Sequence, residues 1–486
     1  MPHYTEELPR IWLIIPLLML YLPGLGSVGF LGPDEPRYAS IGREMAHSKD
    51  LITPRLDGQP WFEKPPLLYW MVAAGHWAHL PDEWAARLPV ALSSVVFLLF
   101  FFWIVRREFS TGTAIAATAI LSTSAGWLAY SFAALTDLPM SVTLAAALFL
   151  ASFDTQRRNG YLSGALLGLS VLAKGFVPLV LFAPAFLVAR RRRLSMMVGC
   201  ALIAAPWYIL CFVRNGRVFW SEFFWKHHVE RFFSNSLEHV QPFWFYLPVI
   251  LAALFPWTPL AALLLRSETY RDVRIRFLTG WVLFGLLFFS ISRNKLPGYL
   301  LPLLPALAIV LAVALERSKQ AHWWVAASAL LLVALPAIAA ALPDALMFGL
   351  RKAQIAWTPG VPFAAVAIAV WWLGRRNQPS LAILTASAAV LVGIAYVKVK
   401  TFPALDQRVS VRAFWQANES RLAGACYQDV NRPWQYGINY YARHALSECG
   451  PAVPGGGPEI VVRDRRLELE PRSAAALPEV PPNGAR

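Results

Sequence analysis

The sequence predicts an all-α polytopic membrane protein with about thirteen transmembrane helices and a small C-terminal α/β domain. Of its 486 residues 57% are hydrophobic and 15% charged, with a mean hydropathy of +0.47, a balance a soluble globular chain does not sustain. The apolar residues gather in long runs, and the basic ones sit in short clusters between them. A net charge of +15 therefore reports orientation in a membrane and excludes nucleic acid as the expected partner.

The first run, Ile11 to about Phe30, has no small-x-small cleavage site and reads as a retained anchor. Twelve more follow at about 88–105, 112–131, 138–153, 161–173, 174–190, 196–213, 243–265, 277–291, 297–315, 322–342, 361–374 and 381–397. With the amino terminus inside, every loop assigned to the cytoplasm is basic. These loops hold Arg106 and Arg107, Arg157 and Arg158, Arg190 to Arg193, Arg266 with Arg271, Arg274 and Arg276, Arg317 with Lys319, and Arg375 with Arg376. That orientation puts the loop 31–87 and the carboxyl terminus outside. Residues 1–400 form the membrane domain, and 401–486 a small outer domain with a Pro/Gly/Ala-rich, disordered tail. The stretch from Cys426 to Cys449 reads as strand-rich. Its two cysteines form a disulfide if the compartment is oxidising, or remain two thiols; the sequence weighs both alike. Cys200 and Cys211 lie in an apolar run as packing residues, and no zinc-type spacing occurs.

The stretch Gly32 to Trp70 is unusually charged for this chain. It carries Asp34, Glu35, Arg37, Arg43, Glu44, Arg55, Asp57, Glu63 and Lys64 among aromatics and prolines. A helix is expected from about Pro36 to Ser48, since proline suits a first helical turn, and a looped path after Asp50. Further ionisable residues stand at span margins, where they are costly to bury and functional by default: Asp137, Lys174, Arg231 and Lys295, the last followed by Pro297 and Tyr299.

A lipid-linked phosphate at a membrane surface needs cations at headgroup depth, an apolar groove, and a carboxylate near the reacting centre. Arg37, Lys64, Arg231, Lys295 and Lys174 are the available cations. Asp34 leads the carboxylates as a general base, and Asp137 follows. Each also has an ordinary reading as a helix cap, Asp34 for the Pro36 helix and Asp137 for the next span. Glu63 with His227 or His228 is a candidate pair for a divalent metal, although a structural histidine is the commoner case. Trp61, Phe62, Trp225, Phe232, Phe233 and Tyr299 serve as groove walls or as interfacial aromatics.

Several ordered motifs resemble the bacterial aminoarabinose transferases of lipid A, within the wider dolichyl-phosphate-mannose-protein mannosyltransferase family. They are Asp34-Glu35-Pro36-Arg37-Tyr38, Arg43-Glu44-Met45, Thr53-Pro54-Arg55-Leu56 and Phe62-Glu63-Lys64-Pro65-Pro66-Leu67. Thr136-Asp137, Lys174-Gly175, His228 to Phe232, and Lys295-Leu296-Pro297 with Tyr299 continue the match over roughly residues 10 to 320. The resemblance implies the C-type glycosyltransferase fold, with helices lying along the outer membrane surface, and an undecaprenyl-phosphate-linked sugar donor. It implies that Asp34 and Asp137 are essential carboxylates, that Arg37, Lys64, Arg231 and Tyr299 form the lipid-phosphate site, and that Glu63 and His228 hold a metal. Lys295 matches the family's Lys-Leu-Pro motif. A divalent metal ion is the one cofactor this resemblance allows for.

The expected activity is inverting transfer of aminoarabinose, or a related pentose or hexose, to lipid A or another acceptor at the periplasmic face of the bacterial inner membrane. Transfer to protein hydroxyls, as in a protein O-mannosyltransferase, or to another glycolipid is the nearest alternative. A lipid or solute transporter is the alternative of another class. A transporter places its charges near mid-span within internal repeats, whereas these cluster at one membrane margin.

Overall fold

Apolar runs in lipid leave the backbone no hydrogen-bond partner but itself, so they close into helices. The computed structural model describes residues 11–153, 157–230, 241–348, 361–450, 457–463 and 465–471. Helix α1 (Ile11–Tyr21) is followed by two helices outside the main bundle, α2 (Asp34–Ser48) and α3 (Leu67–Trp77). A ribbon of β1 (Arg55–Leu56) and β2 (Gln59–Pro60) lies between them. Next come α4 (Asp82–Glu108), α5 (Thr111–Thr123), α6 (Ala125–Ser131), α7 (Asp137–Phe153), α8 (Arg157–Lys174), α9 (Val177–Val188) and α10 (Arg193–Phe219). Helix α11 (Trp220–Glu230) is wound in wider, π-type turns. The bundle is completed by α12 (Tyr246–Ala253), α13 (Val273–Ile291), α14 (Leu304–Glu316), α15 (Ala321–Leu331), α16 (Leu335–Phe348), α17 (Val361–Arg375) and α18 (Pro379–Lys400).

The chain is a multi-span membrane protein. Among the described residues six helices are long and apolar enough to cross a bilayer singly, and up to eight if each bent pair counts as one span. Shorter apolar helices α7, α9 and α17 add to them. Within the segment Pro297–Glu316, containing α14, nearly every residue between its two exposed ends is buried, and it forms the centre of the bundle.

Four expected runs are not single straight helices. The first ends at Tyr21 rather than Phe30, because Pro23 has no amide hydrogen and Gly24 takes a φ of 84° that breaks the helix. The run 112–131 bends by 60° between α5 and α6, and 243–265 folds back by 119° after α12. The run 322–342 is interrupted by a tight turn at Leu332–Ala334 between α15 and α16.

Beyond α18 stand α19 (Phe402–Arg408), α20 (Arg412–Asn418), α21 (Arg432–Ala442) and a small sheet. Its strands β3 (Cys426–Tyr427), β4 (Glu459–Arg463) and β5 (Arg466–Glu470) lie in the order β3-β4-β5, parallel then antiparallel. The strand-rich expectation for 426–449 fails at α21. Asn431 caps it by accepting from the Trp434 amide, Pro433 suits its first turn, and Trp434, Gly437 and Ile438 recur at helical spacing on its buried face. Cys426 and Cys449 form a disulfide.

This unit is stitched to the turn between α1 and α2. Arg412 pairs with Glu83 (3.4 Å) and Asp406 (2.9 Å), Asp406 accepts from the Gly29 amide (2.7 Å), and Arg43 lies 4.0 Å over the Tyr440 ring. An apolar cavity of about 490 Å³ opens between the spans, walled by Leu25, Leu128, Phe132, Leu335 and Ile394.

Candidate functional site

Helix α2 begins at Asp34, two residues earlier than proline alone suggests. The preceding position is Pro33, whose side chain caps nothing, so Asp34 is the first acid of the first turn rather than a hydrogen-bonding cap. There its carboxylate complements the helix dipole and meets the Arg37 guanidinium one turn on. Arg37 is 5% exposed and also reaches Glu63 Oε2 at 3.0 Å, while Lys64 Nζ lies 3.3 Å from Glu63 Oε1. Tyr38, Trp61 and Tyr436 place their rings 5.3–5.5 Å from the guanidinium. Burial opposes the Arg37 charge, but Glu63 and, further down, Asp34 outweigh it and raise its pKa. Tyr38 is driven the same way, by burial first and then by Glu63 and Asp34, which keeps its phenol neutral. Asp34, 43% exposed, is the open member of the cluster.

The adjacent residue, Glu35, is enclosed. Its carboxylate receives Arg87 Nε and Nη2 at 2.7 Å each, with side-chain exposures of 3% and 4%, and accepts from the Leu31 and Ala134 amides at 2.9 Å. Arg87 in turn donates to the carbonyls of Leu25, Val28 and Gly29. One buried acid thus ties the turn before α2 to the loop before α7, the loop that carries Asp137. The sequence reading passed over Glu35 and Arg87 as site-building residues, and Tyr436 as a wall. Only the adjacency of Glu35 to Asp34 pointed to it.

Asp137 stands in the first turn of α7, and Lys174 Nζ from the end of α8 lies 2.5 Å from its Oδ1. The Lys174 ammonium also sits 4.8 Å over the Tyr299 ring. Gly298 packs so closely here that a Cβ would lie 2.5 Å from the Tyr130 hydroxyl and 2.6 Å from Asp137 Oδ1. Two carboxylate–cation sets are therefore held at one end of the bundle, linked through the hydrogen bond from the Ala134 amide to Glu35. The wall of the apolar cavity includes Gly32, Glu35, Ala133 and Leu135, the near neighbours of Asp34 and Asp137.

Lys295 is not brought onto a carboxylate of this site. It is buried, and its ammonium donates to the carbonyls of Gln241 (3.0 Å) and Ser292 (2.5 Å), so it fastens the loop before Pro297. Arg231 and the His228 side chain lie outside the described residues. Both oxygens of Glu63 face a cation, Arg37 or Lys64, an arrangement that repels a divalent metal rather than inviting one. Among the described residues the one cluster of three metal-type ligands is Cys426, Cys449 and Glu459, and its cysteines are joined to each other.

Residues 63–214 match the family model of dolichyl-phosphate-mannose-protein mannosyltransferases. An undecaprenyl phosphate-α-4-amino-4-deoxy-L-arabinose arabinosyl transferase from Edwardsiella ictaluri is 34% identical over 310 residues, which are 59% of this chain and 55% of that relative. A like-named transferase from Erwinia tasmaniensis is 29% identical over 90% of this chain and 86% of its own. The chain thus spans little more than half the length of the first of these relatives. Among solved structures, the crystal structure of ArnT from Cupriavidus metallidurans bound to undecaprenyl phosphate superposes with a TM-score of 0.77 and 23% identity, covering 96% of this chain and 98% of that one. The chain thus has the C-type glycosyltransferase fold, and its sequence is similar to those of the aminoarabinose transferases.

Proposed function

We infer that the chain is a polyprenyl-phosphate-dependent inverting glycosyltransferase, carrying aminoarabinose or a related sugar from undecaprenyl phosphate to lipid A or a comparable acceptor. The observation that carries this reading is the pair of carboxylate–cation sets, Asp34 with Arg37, Glu63 and Lys64 and Asp137 with Lys174, linked through Glu35 and the Ala134 amide beside an apolar cavity fit for a lipid chain. The names of the relatives support the choice of donor.

In this reading the bond between the sugar's anomeric carbon and the phosphate oxygen breaks, and its electron pair leaves with the phosphate. The acceptor oxygen bonds the opposite face of that carbon, so the configuration inverts. Lys64 and Arg37 stabilise the charge the phosphate gains, and Lys174 with Tyr299 lines the other side. Asp34 is exposed enough to meet an acceptor. It takes the proton of a hydroxyl acceptor, or orients a phosphate acceptor that is already ionised. No step needs a metal at Glu63.

The basic loops lie at the far end of the bundle, and a disulfide in the unit packed beside α2 suits an oxidising compartment. Both favour a site on the periplasmic face of the inner membrane. The test is transfer of radiolabelled sugar from crude lipid-linked donors to membranes, comparing wild type with Asp34→Asn at equal expression. Loss of label in well-folded variant protein supports the reading, and migration of the wild-type product identifies the acceptor. Undiminished transfer by the variant removes Asp34 from the chemistry.

A further inference from the structure

A second polar cavity, of about 520 Å³, lies at the end of the bundle opposite the site, between α5, α14, α15, α17 and α18. Glu316, Ser318, Lys319, His322, Arg375 and Ser380 line it. Its one acid is already engaged: Glu316 accepts from the Ser110 hydroxyl (3.1 Å) and from that of Thr113. Lys319 and Arg375 have no ion pair among the described residues, and the start of α18 at Pro379 adds the partial positive charge of a helix amino terminus. The balance favours an anion.

The depth of the cavity points to the kind of anion. The guanidiniums of Arg375 and Arg376 lie 5.0 and 3.9 Å over the rings of Trp371 and Trp372, an arrangement typical of headgroup depth. One to two turns deeper on α17 and α18, Ile368 and Leu384 are exposed and apolar, a surface that suits acyl chains. A soluble anion would leave that flank unused. We propose that this cavity binds the phosphate headgroup of an anionic phospholipid, with Lys319 and Arg375 as its phosphate ligands and His322 and Ser380 as polar support. Basic pockets between spans recognise lipid phosphates through the same chemistry.

The test uses the full chain, purified in detergent and stripped of lipid, with retained lipid counted by native mass spectrometry. The probes are phosphatidylglycerol, phosphatidylcholine and glycerol 3-phosphate. Wild type is expected to retain phosphatidylglycerol over phosphatidylcholine. Replacing Lys319→Gln and Arg375→Gln together, both exposed and so tolerable to the fold, is expected to weaken that retention about tenfold or more. Arg271→Gln with Arg276→Gln, exposed at the same end but outside the cavity, is expected to leave it unchanged. Equal retention of both lipids by wild type, or an equal loss in the control variant, overturns the proposal. So does binding of glycerol 3-phosphate that matches the lipid, which would make the ligand a free phosphate ester.

Discussion

Asp34 and Glu35 are adjacent acids on one helix turn, yet one side chain is 43% exposed and the other 3%. Glu35 is nearly inaccessible and holds four hydrogen bonds, two of them to backbone from different segments. Asp34 is almost half exposed and leans on one arginine. A carboxylate enclosed in that way cannot receive a substrate, and one left open in this way adds little to stability. In the proposed reading, frame and chemistry are separated by a single peptide bond.

The contrast is sharpest if stability is measured by thermal unfolding in detergent. Glu35→Ala or Arg87→Ala leaves a buried charge without its partner and should cost about 3–5 kcal/mol, the largest loss expected. A loss no greater than that of a surface substitution would dissolve the distinction between the two acids. Removing the disulfide with Cys426→Ser and Cys449→Ser frees a loop of sequence separation 23 and should cost about 2–4 kcal/mol, read as earlier melting of the C-terminal unit. Gly298→Ala places a Cβ against the Tyr130 hydroxyl and Asp137, and should cost about 1–3 kcal/mol together with transfer activity. Asp34→Asn should change stability by no more than about 0.5 kcal/mol while lowering transfer by about 10² to 10⁴-fold. A large stability loss there would make Asp34 a second Glu35.

Much of this arrangement was legible in the sequence. The helices follow the apolar runs, and the cations and acids at span margins identified Asp34, Arg37, Glu63, Lys64, Asp137, Lys174 and Tyr299, which the fold brings to one end of the bundle. What escaped notice depends on contacts far apart in the chain. Glu35 and Arg87 are 52 residues apart, and nothing local to either reveals the pairing. Lys295 looked like its neighbours in composition, but burial turned its ammonium toward backbone carbonyls. Helix α21 was hidden by its many aromatics, which favour strands until a capping asparagine and a proline decide otherwise. The bend after α12 left no trace in hydropathy, because a run that folds back stays as apolar as one that continues.

The bond from the Ala134 amide to Glu35 also makes the spacing of the two outer carboxylates a matter of geometry rather than of ligand choice. It works like the locking screw of a caliper: when one jaw shifts, the other must follow, and the gap keeps its width. One residue inserted between Ala134 and Asp137 would reset the gap while leaving the screw tight. In the proposed reading, the length of that short loop would then be a dial for the size of sugar admitted, independent of Asp34 and Asp137 themselves.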